Sequence, residues 1–333
     1  MKLRLLAGLL PAVLTPLILT SCHSGDPIGS APPGPTWTPV AQGSLDYLDG
    51  IWGSSASDVW AVGGASNSGV IVHYTGTTWT ISWSSVTLGT AWFLGAVWGT
   101  SPSDVWAVGA TATGGGSVHY DGTTWSVIPT GTAETLYGVW ATSTSDIWAV
   151  GGSANATILH SDGTAWSTNM TGQAGVRLFG VWGTSASDVW TVGSAGTILH
   201  YDGTTWTSVP SGTTDDISAV WGTSASDVWA VGGSSKGTGA TGAGGIILHW
   251  NGTVWSPATS GTTQDLYTVW GASASDIWVA GTSGTILHYD GTSWSQGTSS
   301  PSTLFLGGIW GSSATDVWMV GGQGTILHGP PVS

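Results

Sequence analysis

Positive charge is nearly absent from this 333-residue chain: Lys2, Arg4, Arg177 and Lys236 are its only lysines and arginines, against 18 acidic residues and a formal net charge of −14. That scarcity excludes nucleic acid as a partner, because displacing counterions from phosphates takes several Lys or Arg. It equally excludes a polybasic contact with anionic lipid and any site built on clustered arginines. Cysteine occurs once, at Cys22, so no internal disulfide can form. Glutamate also occurs once, at Glu134. The chain carries no Gly-x-Ser-x-Gly elbow, no His-Glu-x-x-His, no phosphate-binding loop and no Asp-rich calcium loop. No catalytic residue, cofactor or metal is therefore expected. Low charge does not mean disorder here, since 41 % of residues are hydrophobic. What the chain has in abundance is Gly, 54 residues, and Trp, 24 residues.

The first 21 residues read as an export signal. Lys2 and Arg4 precede an apolar run that ends at Leu19, and Pro11 and Pro16 make that run a poor membrane span. It closes on Leu19-Thr20-Ser21-Cys22, which resembles the lipobox of bacterial lipoproteins. The resemblance implies cleavage before Cys22, lipidation of that residue and export to the cell envelope, with the membrane reached through the lipid alone. His23 follows the cysteine, so the Asp that retains some of that family at the inner membrane is missing, and the outer membrane or cell surface is the expected address. Residues 22–35 read as a flexible tether, and 36–333 as the folded domain.

That domain is one phrase repeated. Val-Trp-Gly-Thr-Ser-Ala-Ser-Asp-Val-Trp occurs at 181–190 and 220–229, and close variants begin at Ile51, Val97, Val139, Val269 and Ile309. The motif aspartates are Asp58, Asp104, Asp146, Asp188, Asp227, Asp276 and Asp316, 39 to 49 residues apart. Each unit holds four short Val-, Ile-, Trp- and Thr-rich segments bounded by Gly, Ser and Asp, and reads as four antiparallel strands. Asp202-Gly203 is expected to form a two-residue primed hairpin turn, which would set Leu199 opposite Trp206. Four strands per repeat predict an all-β, seven-bladed propeller. The seventh unit ends before a fourth strand, and the segment around Trp37 resembles the missing one. It is expected to complete the last blade and remove its open edge.

From Trp37 to His328 the motifs resemble the bacterial Trp-rich propeller repeats grouped loosely with Asp-box, Kelch-like and tectonin-type propellers. The Asp-box itself runs Ser-x-Asp-x-Gly, whereas here Gly directly follows Asp, as in Asp121-Gly122. The resemblance therefore implies the fold and no sialidase chemistry.

The third-strand histidines, one per unit, are expected to be satisfied interblade groups, because metal ligands would have to converge within roughly 2 Å of one ion. The Ser-x-Ser-Asp turns and the paired tryptophans are likewise read as scaffold. Function is expected where the repeats disagree, at the end bearing the second turns and the links between blades. The positions just before each first strand collect acidic and aromatic residues there. Asp46, Asp49, Trp92, Phe93, Glu134, Arg177, Asp215, Asp216 and Asp265 form the expected binding rim at the channel mouth. Mutual repulsion among these carboxylates is expected to raise some of their pKa values, with Arg177 pairing to one of them. The reading is a non-catalytic envelope binding or scaffold protein whose partner is an envelope or extracellular protein. A lectin binding a surface glycan, using Trp83, Trp92 and Trp250, is one alternative. A polysaccharide hydrolase or lyase using the rim carboxylates is the other.

Overall fold

The computed structural model describes residues 37–39, 47–65, 68–85, 92–233, 244–297 and 303–329, all within one compact unit spanning Gly34–Ser333. The segment expected to be an export signal, Cys22, the expected tether to Pro35, Asp46 and Lys236 lie outside the described residues. The chain forms seven four-stranded antiparallel sheets, the blades of a propeller. Blade 4 shows the pattern, with strands Leu178–Ser185, Asp188–Gly193, Ile198–Tyr201 and Trp206–Ser208. The first strands of the other blades are Leu48–Ser55, Trp92–Ser101, Leu136–Ser143, Asp216–Ser224, Leu266–Ser273 and Leu306–Ser313, for blades 1, 2, 3, 5, 6 and 7. First strands of neighbouring blades touch all the way round, so they form the inner wall of the ring.

Blade 7 takes its fourth strand from the other end of the domain: Thr38–Pro39 pairs with Ile326–Gly329, Thr38 opposite His328. The aromatic packing shows why one residue there matters. In every blade the second-strand Trp meets the fourth-strand Trp of the next blade edge to face, at 5.4–5.7 Å between ring centres. The chain of pairs runs from Trp60 and Trp125 around to Trp278 with Trp37 and Trp318 with Trp79. Trp37 thus fills the seventh place in a closed circuit of indoles.

The inner strands follow the same logic. The first-strand Trp of one blade lies over a glycine of the next, as Trp52 over Gly99 and Trp310 over Gly53, where a Cβ would sit 2.5–2.6 Å from the indole. Blade 3 has Ala141 at that position, and there the Trp98 indole N–H donates to the Ala141 carbonyl at 3.1 Å.

Two expectations about the scaffold need correction. The Asp202-Gly203 connection is a four-residue turn: Tyr201 pairs with Trp206 and His200 with Thr207. Asp202 Oδ1 accepts the Thr204 hydroxyl and the Thr204 and Thr205 N–H groups, which offsets the loss of a tighter turn. Those bonds, the Thr204 hydroxyl first, hold the Asp202 carboxyl down to about 2. The register moves by two residues, so Trp206 still shares a face with Leu199. Nor is the histidine bridged to a neighbouring blade. All seven bond through Nε2 to Oδ1 of their own blade's turn aspartate at 2.6–2.8 Å. His200, for one, stacks on Trp190 at 4.1 Å. The other carboxylate oxygen accepts a Thr or Ser hydroxyl four residues upstream, such as Thr184 for Asp188. In blade 6 that upstream residue is Ala272, so Asp276 lacks the bond.

A candidate binding site at the channel mouth

The two ends of the ring differ as the repeats do. The first and third turns share one end, since Ser187 of the first turn lies directly against Gly203 of the third. The second turns lie beside the strand starts at the other: Ser194 Oγ accepts the Arg177 N–H at 3.0 Å, and Asp216 Oδ1 accepts the Ala195 N–H at 2.9 Å.

Within the first three residues of each first strand stands a fully buried aliphatic residue: Leu48, Leu94, Leu136, Leu178, Ile217, Leu266 and Leu306. Immediately after it the pairing with the second strand slips, in all seven blades, at the same place. Such a bulge leaves one residue out of the ladder and re-aims its side chain. Those residues are Asp49, Gly95, Tyr137, Phe179, Ser218, Tyr267 and Gly307, and all seven line a single cavity of about 690 Å³. Phe93, Asp216, Gly233, Asp265 and Phe305 complete its wall. The bulge column was legible in principle: inside an otherwise uniform phrase it reads Asp, Gly, Tyr, Phe, Ser, Tyr, Gly. Expecting unbroken ladders hid its meaning, and only Asp49 was drawn from it.

The wall combines aromatic faces with carboxylates. Tyr137 meets Phe179 edge to face at 5.8 Å, and Tyr267 meets Phe305 at 6.4 Å. Phe93 folds over Gly95, and Phe305 over Gly307. Asp49 Oδ2 is closed off from solvent and accepts no hydrogen bond, and burial pushes its carboxyl up to about 7. The cause is desolvation, where repulsion between rim carboxylates was expected. Asp265 lies against Gly233, where a Cβ would sit 2.2 Å from its Oδ1. The Tyr267 hydroxyl is pushed up by burial and then by the Asp265 charge. The described residues of the wall include no Lys, Arg, His or Cys. Among the described residues no three His, Cys, Asp or Glu side chains are grouped so as to hold a metal ion.

Of the rim read from sequence, Asp49, Phe93, Asp216 and Asp265 line the cavity, and four residues do not. Trp92 is buried against Trp83, edge to face at 5.5 Å. Glu134 braces the second turn of its own blade, accepting the Ala154 and Ser153 N–H groups, which hold its carboxyl below the usual range. Arg177 is exposed, and the ion pairs among the described residues are all His–Asp, so it does not neutralise a rim carboxylate. Asp215 faces a separate open groove with Ala195, Ser211 and Thr213. Trp250 packs on Trp190 at 5.1 Å and Trp83 on Trp92 at 5.5 Å, so all three contribute to the scaffold's packing.

No protein-family model matches this chain, and no curated protein matches it in sequence. Solved structures match its fold. YCF48 bound to D1 peptide is 14 % identical with a TM-score of 0.67, over 88 % of this chain and 96 % of that one. The WD40 propeller domain of Doa1 is 14 % identical with a TM-score of 0.67, over 89 % and 97 %. A catalytically inactive virginiamycin B lyase from Staphylococcus aureus with quinupristin is 13 % identical with a TM-score of 0.69, over 89 % and 99 %. At such identities the likeness extends to the seven-bladed architecture and no further.

Proposed function

We propose that this protein is a non-catalytic binding scaffold of the bacterial cell envelope, anchored by lipid on Cys22, that engages a polypeptide partner at the channel mouth. The observation that carries the reading is the cavity wall: one re-aimed residue per blade on a rigid ring, with aromatic and acid groups but no nucleophile paired to a base. Propellers of this shape include YCF48, solved with a D1 peptide, which is consistent with a peptide-sized ligand.

The test separates binding from turnover and from anchoring. Full-length protein expressed in a bacterium should carry lipid on Cys22, read by mass spectrometry of the mature N-terminus. The purified protein should bind members of a peptide array and leave envelope polysaccharides uncleaved. The exposed faces of the cavity's aromatic rings favour a second reading, a glycan ligand, because such rings also stack on sugars. A glycan array with hits and a peptide array without them would replace the first reading by the second.

A further inference from the structure

We infer that the channel mouth is a receptor for a basic side chain, Lys or Arg, presented by an extended polypeptide segment. This rests on the reading of the protein as a polypeptide-binding scaffold and names the chemistry the partner must carry.

The inference begins with an imbalance. Asp49, Asp216 and Asp265 enter the cavity from blades 1, 5 and 6, and among the described residues its wall contains no positive group. Asp216 has a backbone N–H to satisfy it. Asp49 Oδ2 has neither solvent nor a donor. A buried carboxylate oxygen left in that condition is costly, and the cost is relieved when a donor or a cation arrives.

The rest of the wall decides which cation. A compact divalent ion needs several oxygens converging on one point, and the described carboxylates are not so grouped. Between the carboxylates stand Tyr137 and Phe179 on one side and Tyr267 and Phe305 on the other. Aromatic faces attract ammonium and guanidinium groups through the ring quadrupole, and they cover the aliphatic stem as well. A long side chain with a charge at its tip fits both kinds of wall. A cavity of about 690 Å³ also exceeds what one side chain fills, so neighbouring residues of the segment would enter with it. The net charge of −14 further concentrates cations near the protein and disfavours acidic competitors.

The experiment uses the purified full-length protein and blocked pentapeptides with a central Lys, Arg, Gln or Glu between glycines, followed by isothermal titration calorimetry. The Lys and Arg peptides should bind saturably, about tenfold or more tighter than the Gln peptide, with the Glu peptide weakest. Binding should weaken as salt rises from about 0.05 to 0.5 M, over which the Debye length shrinks to roughly a third. Replacing Asp49 and Asp265 by Asn should abolish the preference for Lys over Gln, and Phe179→Leu should weaken both cationic peptides. Circular dichroism and melting of each variant confirm folding, and Tyr137→Leu provides a second aromatic variant if Phe179→Leu does not fold. Equal binding of the Lys and Gln peptides, or binding unaffected by Asp49→Asn with Asp265→Asn, overturns the inference. So does n-butylamine binding as tightly as the Lys peptide, which would make the site one for small amines. A preference for neutral or acidic peptides sinks this inference while leaving a polypeptide-binding scaffold standing. Failure of every peptide alongside glycan hits removes that wider reading too.

Discussion

Asp49 is the residue whose surroundings differ most from those of the other carboxylates. Burial raises its carboxyl to about 7, so between about pH 4 and 7 the folded protein holds a proton that the unfolded chain has released. Its contribution to stability is complete below about pH 4 and is lost as pH rises through about 7. Asp216, Asp265 and Tyr267 face the same cavity, but desolvation alone accounts for the shift. Asp49→Asn should therefore melt close to the parent near pH 4 and increasingly above it as pH rises to about 7, the gap levelling off beyond that. A difference in melting temperature that stays constant across that range would show that Asp49 is solvated. A second residue-scale case is Ala272. Six turn aspartates accept a hydroxyl four residues upstream, and Asp276 does not. Ala272→Thr should supply it and stabilise the fold by about 0.5–1 kcal/mol, the net worth of an ordinary hydrogen bond at a part-exposed site. Denaturant midpoints with an unchanged slope would check it.

Among the elements, the two-residue strand Thr38–Pro39 has the largest consequence for its length. It covers the open edge of Ile326–Gly329 and carries Trp37 onto Trp278 at 5.7 Å. Removing residues 23–34 should leave stability nearly unchanged, because that stretch has no strand pattern. Removing 23–41 should cost about 3–5 kcal/mol, the usual loss for a buried Trp, and uncover the edge of Ile326–Gly329. Equal chemical denaturation curves for the two truncations would show that Trp37 does not close the ring. Much of this level was legible in sequence, because the repeat period, the Asp-Gly turns and the six fourth-strand tryptophans all count blades. The phrase also marks strand starts: the second strand of blade 4, Asp188–Gly193, begins at the motif aspartate. The four-residue Asp202 turn was not legible, since an Asx turn and a primed turn begin with the same two letters. The variable column after each leading aliphatic residue stands in the sequence, but the bulge that gives it meaning does not. Alternation along a strand says nothing about where a ladder slips, and it was the slip that placed Tyr137, Phe179 and Tyr267 in the cavity while Glu134 turned away to brace a loop.

For the whole molecule, the ring divides its acidic residues between two jobs at two ends. At one end Asp146, Asp188 and Asp227 each hold a histidine and an upstream hydroxyl, so their charge is consumed inside the scaffold. At the other end Asp49, Asp216 and Asp265 converge on one cavity from three blades, and the described residues of its wall include no Lys or Arg. Net charge of −14 opposes compaction, and the described part offers only exposed Arg177 against it. Replacing the three cavity aspartates with Asn should therefore leave the melting temperature unchanged or raise it, because Asn keeps the acceptor for the Ala195 N–H while removing charge from a desolvated wall. Replacing the three turn aspartates with Asn should lower stability by about 1–3 kcal/mol per site, since each histidine loses a charged acceptor and each amide N–H₂ is forced against a donor. The sites lie on separate blades, so the losses should nearly add. Binding should follow the opposite pattern, lost in the first variant and retained in the second at temperatures where it remains folded. Thermal melts paired with calorimetry on both variants would decide it. If folding failed in the cavity variant and binding failed in the turn variant, the end of the ring that carries the site would be the one with the Ser-x-Ser-Asp turns.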